Sequence, residues 1–183
     1  FLSVQVTYYI LIAFLLTYGV TSANMSRDDM LLAVLIASAL QVPTQFIFAS
    51  YSDRHGRRGI FMLGAVLTGL WAFALFPLVD TGNFWLILLA MTIGFVFLGM
   101  MYGPQAAFFT ELFSTEVRYS GASLGYQLGA IIGGAFAPVI AVTLWTEYSI
   151  FWVSVYIAFA SLLALLSVLM LTETYKSDLS DTK

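Results

Sequence analysis

The 183-residue chain is 61% hydrophobic and only 9% charged, with a formal net charge of −3 and a mean hydropathy of +0.93. A soluble domain carries about 25% charged residues, so this composition excludes an ordinary water-soluble globule. With no cysteine and a single histidine, the chain also excludes a disulfide framework, a thiolate metal site and a histidine-cluster metalloenzyme.

Uncharged runs cover Phe1–Ser26, Met30–Ser52, Gly59–Val79, Thr81–Thr110, Tyr119–Thr146 and Tyr148–Thr172. Each holds the roughly 20 residues that a helix needs to cross a hydrocarbon core. They lack strict alternation and exceed the ~10 residues of a barrel strand. Backbone groups in lipid must satisfy one another, so the runs predict an all-α integral membrane fold of six transmembrane helices. The predicted spans are 2–22, 30–51, 60–79, 84–110, 120–145 and 149–171, forming one bundle over residues 1–172 with a polar tail at 173–183. Phe1–Val20 has no basic leader and no small-residue cleavage site, so no cleavable signal peptide is expected. The first residue is Phe, which reads as the start of a fragment.

In the first span, Gln5, Tyr8 and Tyr9 share a face. Ser26-Arg27-Asp28-Asp29 has the S-x-x-D pattern that caps a helix start and opens the second span. There Ser38, Gln41 and Gln45 share a face on either side of Pro43, which removes a backbone donor and can kink the helix. The segment 52–59, "SDRHGRRG", is the one dense basic cluster and reads as a loop. Asp80-Thr81-Gly82-Asn83 is a tight turn after the third span, with Trp85 just inside at headgroup depth. Trp145 and Trp152 flank the last turn in the same way. Tyr102 and Gln105 share a face of the fourth span beside Gly103-Pro104. In "ELFSTEVR", Glu111 and Arg118 lie seven apart across the next loop.

The fifth span opens "SGASLGYQLGAIIGGAF". Gly121, Gly125, Gly129 and Gly133 recur every four residues and make a bare ridge against which another helix backbone can approach, either as static packing or as a sliding surface. Ser123 and Gln127 fall on the opposite face.

All five glutamines lie inside spans one, two, four and five, with none in three or six. An uncompensated amide is costly in lipid, so these residues should face a bundle interior or a watery cavity. The pattern is that of two triplets, as in an inverted three-plus-three repeat. Taken singly, each polar residue reads slightly better as an interhelical contact worth about 0.6 kcal/mol. As a set, Gln5, Tyr8, Tyr9, Gln41, Gln45, Tyr102, Gln105, Ser123 and Gln127 describe a hydrogen-bonding cavity for a small polar solute.

Segments 52–59, 111–119 and 173–183 carry Arg54, Arg57, Arg58, Arg118, Lys176 and Lys183, all on one side. The other side holds Arg27 with Asp28, Asp29, Asp80 and Glu147. The positive-inside rule therefore places the basic side, and both chain ends, in the cytoplasm. Glu111 can pair with the arginines of 52–59 across that face, either as a latch between conformations or as an ordinary ion pair worth under about 1 kcal/mol. His55 sits in the loop, away from any intramembrane nucleophile, which argues against an intramembrane enzyme.

These residues carry a resemblance. "ASYSDRHGRRG" resembles the G-x-x-x-D-R-x-G-R-R loop signature of the major facilitator superfamily, with Ala49 at the usual first glycine. Glu111 through Arg118 resemble its E-x-x-x-x-x-x-R element. Tyr102–Pro138 looks more specifically like the metabolite:H+ symporter family, which includes transporters of shikimate, dicarboxylates, and proline or betaine. The resemblance implies the C-terminal six-helix half of a twelve-helix transporter in the plasma (inner) membrane, partnered by the bilayer, by a missing N-terminal half and by a small-molecule substrate. It implies that Asp53, Arg54, Gly56, Arg57, Arg58, Glu111 and Arg118 form a gate network stabilising an outward-facing state. It also implies proton symport without a cofactor. No carboxylate or histidine lies deep in a span, so the coupling charges belong to the missing half. The alternative is a membrane-embedded interaction fragment with no transport of its own. Nucleic acid is not an expected partner of so short a basic segment.

Overall fold

In the computed structural model, which describes residues 1–111 and 118–171, the chain folds into six long helices. The side chains of Thr110 and Arg118 lie outside that description. The helices are α1 (Leu2–Thr21), α2 (Arg27–His55), α3 (Arg57–Val79), α4 (Phe84–Glu111), α5 (Tyr119–Glu147) and α6 (Ile150–Leu169). Among the described residues there is no strand. Two π-helical turns interrupt the α geometry, at Ile10–Phe14 in α1 and Ile131–Ala135 in α5.

Local chemistry sets the helix ends. The Ser26 hydroxyl oxygen accepts the Asp29 N–H at 3.0 Å, so α2 begins at Arg27, a turn earlier than its apolar run. Between α3 and α4, Gly82 takes φ +63° and its N–H reaches the Val79 carbonyl at 3.1 Å. The Asn83 side-chain oxygen then accepts the Trp85 N–H at 2.9 Å and caps α4.

The segment 52–59 is not a loop. α2 continues through His55 and α3 starts at Arg57, so the whole turn is Gly56, at φ 106° and ψ 144°. Polar residues do not by themselves end a helix. The Ser52 hydroxyl donates to the Ala49 carbonyl at 2.7 Å, and the Tyr51 and His55 rings stack 4.3 Å apart one turn along. Arg54 and His55 also sit where the helix dipole favours positive charge. Only the conformation open to glycine breaks the chain. Residues 112–117 of the expected loop 111–119, and the expected tail at 173–183, lie outside the described residues.

The pairwise packing has a two-fold character. α2 packs on α4 and α1 on α5, α3 packs on α4 and α1 on α6, and α3 packs directly on α6. Exchanging α1–α3 with α4–α6 maps this set onto itself, as an inverted three-plus-three repeat requires. Because lipid tails are as apolar as the side chains, close approach and buried hydrogen bonds hold such helices together. A Cβ on Gly103 of α4 would lie 2.8 Å from the Gln45 carbonyl oxygen and 3.0 Å from the Ala49 nitrogen of α2. A Cβ on Gly133 of α5 would lie 2.8 Å from the Leu2 carbonyl oxygen of α1. The hydroxyls of Ser3 and Ser161 pair at 3.2 Å between α1 and α6. Ser154 donates to the Ala72 carbonyl at 2.8 Å, and the Trp71 indole to that of Ala90 at 3.0 Å.

The core at the end opposite Arg57 and Arg58 is aromatic. Phe14, Tyr18, Phe76 and Trp145 meet edge to face, and the Tyr18 hydroxyl donates to an Asp80 carboxylate oxygen at 2.6 Å. Trp145 was expected at headgroup depth; it instead turns inward onto Tyr18, with ring centroids 5.2 Å apart. Trp152 is exposed beside Tyr148 and Phe151.

Candidate functional site: an amide-lined chamber above an arginine clasp

At the basic end the structure brings Asp53, Arg57 and Glu111 together. The Arg57 Nε donates to both carboxylate oxygens of Glu111 at 2.9 Å, and its second guanidinium arm reaches Oε1 at 2.8 Å. The remaining arm donates to Asp53 Oδ1 at 2.8 Å. Arg57 and Glu111 side chains are each 12% exposed, against 59% for Asp53. The Gly56 turn makes this fork available, because it aims the first residue of α3 at the last residue of α4. Arg58 donates to the Leu169 carbonyl at 2.8 Å and so satisfies a terminal acceptor of α6. Arg54 is exposed, and Arg118 directly precedes α5, with its side chain outside the description.

One to two turns along α4 from Glu111, a chamber of about 230 Å³ opens between α2, α4 and α5. Gln45, Tyr102, Gln105 and Tyr126 supply its polar groups, and Gly103, Ala106, Phe109 and Ala122 complete its wall. No acid, base or histidine lines it among the described residues. Such a surface can hold a neutral hydrogen-bonding group, and it offers no chemistry beyond binding.

The nine cavity candidates divide. Gln45, Tyr102 and Gln105 line the chamber. Gln5 is buried where α1 crosses the glycine ridge, its Cβ 3.1 Å from the Cβ that Gly133 would bear. Gln41 is buried one turn before Gln45 on α2. Tyr8 is half-buried, and Tyr9 is exposed, its ring lying under Gly134. Ser123 and Gln127 are exposed, and the chamber wall on α5 is instead formed by Ala122 and Tyr126, one residue round the helix. Tyr126 was therefore missed. Its signal was its position three residues before Gly129, on the ridge side rather than opposite it.

The ridge itself faces neighbours. Gly129 meets Phe1, Gly133 meets Leu2 and Gln5, and a Cβ on Gly125 would lie 3.6 Å from the Phe109 ring, while Gly121 is half-buried. A second close approach that the fifth helix had overshadowed is Gly99 and Gly103 of α4 against Thr44, Gln45 and Ala49 of α2.

Comparison with known proteins agrees with this architecture. The pattern of the Major Facilitator Superfamily matches residues 1–183. The chain is 30% identical over 174 residues to the shikimate transporter of Escherichia coli (strain K12), covering 93% of this chain and 40% of that protein. It is 33% identical over 181 residues to the inner membrane metabolite transport protein YhjE of the same organism, covering 94% and 40%. It is 25% identical over 192 residues to the glycine betaine/proline/ectoine/pipecolic acid transporter OusA of Dickeya dadantii (strain 3937), covering 100% and 38%. The chain thus spans about 40% of the length of the relatives it matches, and those relatives are transporters, not enzymes. Six apolar membrane-length helices in an inverted three-plus-three arrangement, an arginine clasp at one end and a full-length match place the chain in the Major Facilitator Superfamily.

Proposed function

We propose that this chain is one six-helix half of a secondary active transporter that moves a small polar metabolite across the plasma (inner) membrane by alternating access. The metabolite is an organic acid such as shikimate or a dicarboxylate, or a betaine-like zwitterion, and protons are the coupling ion. The observation that carries this reading is the uncharged chamber of Gln45, Tyr102, Gln105 and Tyr126, a surface suited to binding a polar solute without reacting with it.

The basic end lies in the cytoplasm on the positive-inside rule. There the Arg57–Glu111 pair ties α3 to α4 and holds one conformation of the barrier. α2 and α5 leave most of their surface uncovered, which suits docking of a second six-helix half. That half supplies the charged groups for the substrate and the proton.

The test is reconstitution. Proteoliposomes containing the full-length protein should accumulate at least one of labelled shikimate, citrate or glycine betaine when a proton gradient is imposed. The six-helix chain alone should accumulate none. Uptake by the isolated chain, or no uptake of any of the three by the full-length protein, overturns the proposal.

A further inference from the structure

Two cavities of about 410 and 450 Å³ open at the basic end of α2, the first of them between α2 and α3. They share Ile47, Tyr51 and His55, so they form one groove. Toward the bilayer interior it is apolar, walled by Ile47, Leu63 and Met100. Its mouth is polar. There the Tyr51 and His55 rings stack 4.3 Å apart, His55 Nδ1 donates to the Tyr51 carbonyl at 3.2 Å, and Arg54 stands beside them. Arg54 is exposed and has no acceptor among the described residues; the neighbouring Asp53 pairs with Arg57 instead, at 2.8 Å. The groove and the chamber lie on opposite sides of the α2–α4 contact. Ile47 is about 200° round α2 from the chamber residue Gln45, and Met100 about 200° round α4 from Tyr102. A second half that closes the chamber therefore leaves the groove facing lipid. From Ile47 to Arg54 the groove runs about 10 Å along α2, longer than a headgroup layer of about 5–7 Å, so it crosses from hydrocarbon into headgroups. Gly59 is part of its wall, and a Cβ there would meet nothing within 4 Å, so the space is open. By contrast, a hollow of about 210 Å³ between α3 and α6 has no ionic group in its wall.

We propose that this groove binds one anionic glycerophospholipid, its phosphate on Arg54 and an acyl chain along Ile47, Leu63 and Met100. A guanidinium offers paired donors that match two oxygens of a phosphodiester, and its charge at the bilayer surface favours a headgroup with net negative charge. A zwitterionic lipid fills the same apolar wall but brings an ammonium group beside Arg54. A free phosphate gains the guanidinium and leaves the apolar wall uncovered. The hydroxyls of Ser50 and Tyr51, both at the mouth, add donors for the phosphate and glycerol oxygens. The stacked Tyr51–His55 pair gives the headgroup a rigid shelf one turn above the acyl chain.

The test titrates the full-length protein in detergent with phosphatidylglycerol, or with phosphatidylcholine of the same acyl chains, and counts bound lipid by native mass spectrometry. Phosphatidylglycerol should bind more tightly than phosphatidylcholine. Arg54→Gln should weaken phosphatidylglycerol binding about fivefold, the weight of one basic residue at an anionic surface, and leave phosphatidylcholine binding unchanged. Arg27→Gln removes the same charge at the opposite end of α2 and should leave both lipids as they were. Gly59→Leu places a side chain in the groove itself. It should lower the number of bound phosphatidylglycerols by one and keep the Tm of the lipid-free protein. Equal losses in Arg54→Gln and Arg27→Gln would mean diffuse attraction to charge and overturn the site. Unchanged lipid binding in both Arg54→Gln and Gly59→Leu would mean that the second half or another copy of the chain covers the groove, which overturns it equally. Glycerol 3-phosphate competing as well as phosphatidylglycerol would make the mouth a site for free anions and overturn the lipid assignment.

Discussion

Arg57 grips Glu111 with two arms of its guanidinium, at 2.8 and 2.9 Å, while each side chain is only 12% exposed. The third contact, from Arg57 to Asp53, reaches a carboxylate that is 59% exposed. The two acids should therefore differ in weight. A charge-assisted, largely buried bond is worth about 1.5–3 kcal/mol, and an exposed pair under about 1 kcal/mol. Glu111→Gln should shift the balance between inward- and outward-facing forms of the full-length protein by about tenfold or more, and Asp53→Asn by less than about fivefold. This chain has no cysteine, so in a full-length background with any other cysteine replaced, alkylation of Ser123→Cys reads the shift. Equal effects of the two variants would contradict the assignment of Glu111 as the principal partner.

Tyr18 and Asp80 form the counterpart at the opposite end, tying α1 to the close of α3 through a 2.6 Å hydrogen bond above the Phe14, Phe76 and Trp145 rings. Tyr18→Phe removes the donor and keeps the ring packing, so its cost isolates the hydrogen bond. It should lower stability by about 1.5–3 kcal/mol. Asp80→Asn keeps an acceptor oxygen and loses only the charge assistance, so it should cost about half as much. Thermal unfolding of both variants and of the double variant checks this. Additive losses would show that the two groups do not interact.

Much of the architecture was legible because lipid simplifies the problem. Six runs without charge could only be helices, and their order and number are as the sequence implied. The helix ends were less legible, because they depend on capping and on a single backbone conformation rather than on hydrophobicity. Ser26 could be read as a cap, whereas the identity of Gly56 as the entire turn could not, since six polar residues surround it in the segment 52–59. At the site, the type of residue was legible and the facing was not. On α5 the chamber wall is formed by Ala122 and Tyr126, one residue round the helix from the exposed Ser123 and Gln127, and no charge pattern on that helix marks which side meets α4. Trp145 misled for a related reason. An indole near a helix end fits headgroups or an aromatic core equally well, and only the ring of Tyr18 on another helix decides.

Gly56 takes φ 106° and ψ 144°, a region that residues with a Cβ enter only at a cost of about 1–3 kcal/mol. Gly56→Ala should therefore lower Tm, and it should also loosen the clasp, because the same turn aims Arg57 at Glu111. In the labelling assay above it should mimic Glu111→Gln in direction. Adding Glu111→Gln to Gly56→Ala should then produce little further shift. A full additional shift would separate the turn from the clasp.

Glycine positions in the helices make the sharpest contrast, since the same substitution meets different surroundings. A Cβ on Gly103 would press on the Gln45 carbonyl at 2.8 Å and the Ala49 nitrogen at 3.0 Å, both backbone atoms that cannot rotate away. α4 would have to move off α2, and overpacking of this kind costs about 1–3 kcal/mol. A Cβ on Gly125 would meet only the Phe109 ring at 3.6 Å, an ordinary contact. A Cβ on Gly59 would meet nothing within 4 Å, and alanine there removes backbone freedom from the unfolded chain. Thermal unfolding of the full-length protein should therefore rank Gly103→Ala well below wild type, Gly125→Ala near it, and Gly59→Ala at or above it by up to about 1 kcal/mol. Because Gly103 also lines the chamber beside Gln105, Gly103→Ala should weaken solute binding as well as stability. If Gly125→Ala proves the more damaging of the two, the close approach that shapes the chamber lies on α5 rather than between α2 and α4.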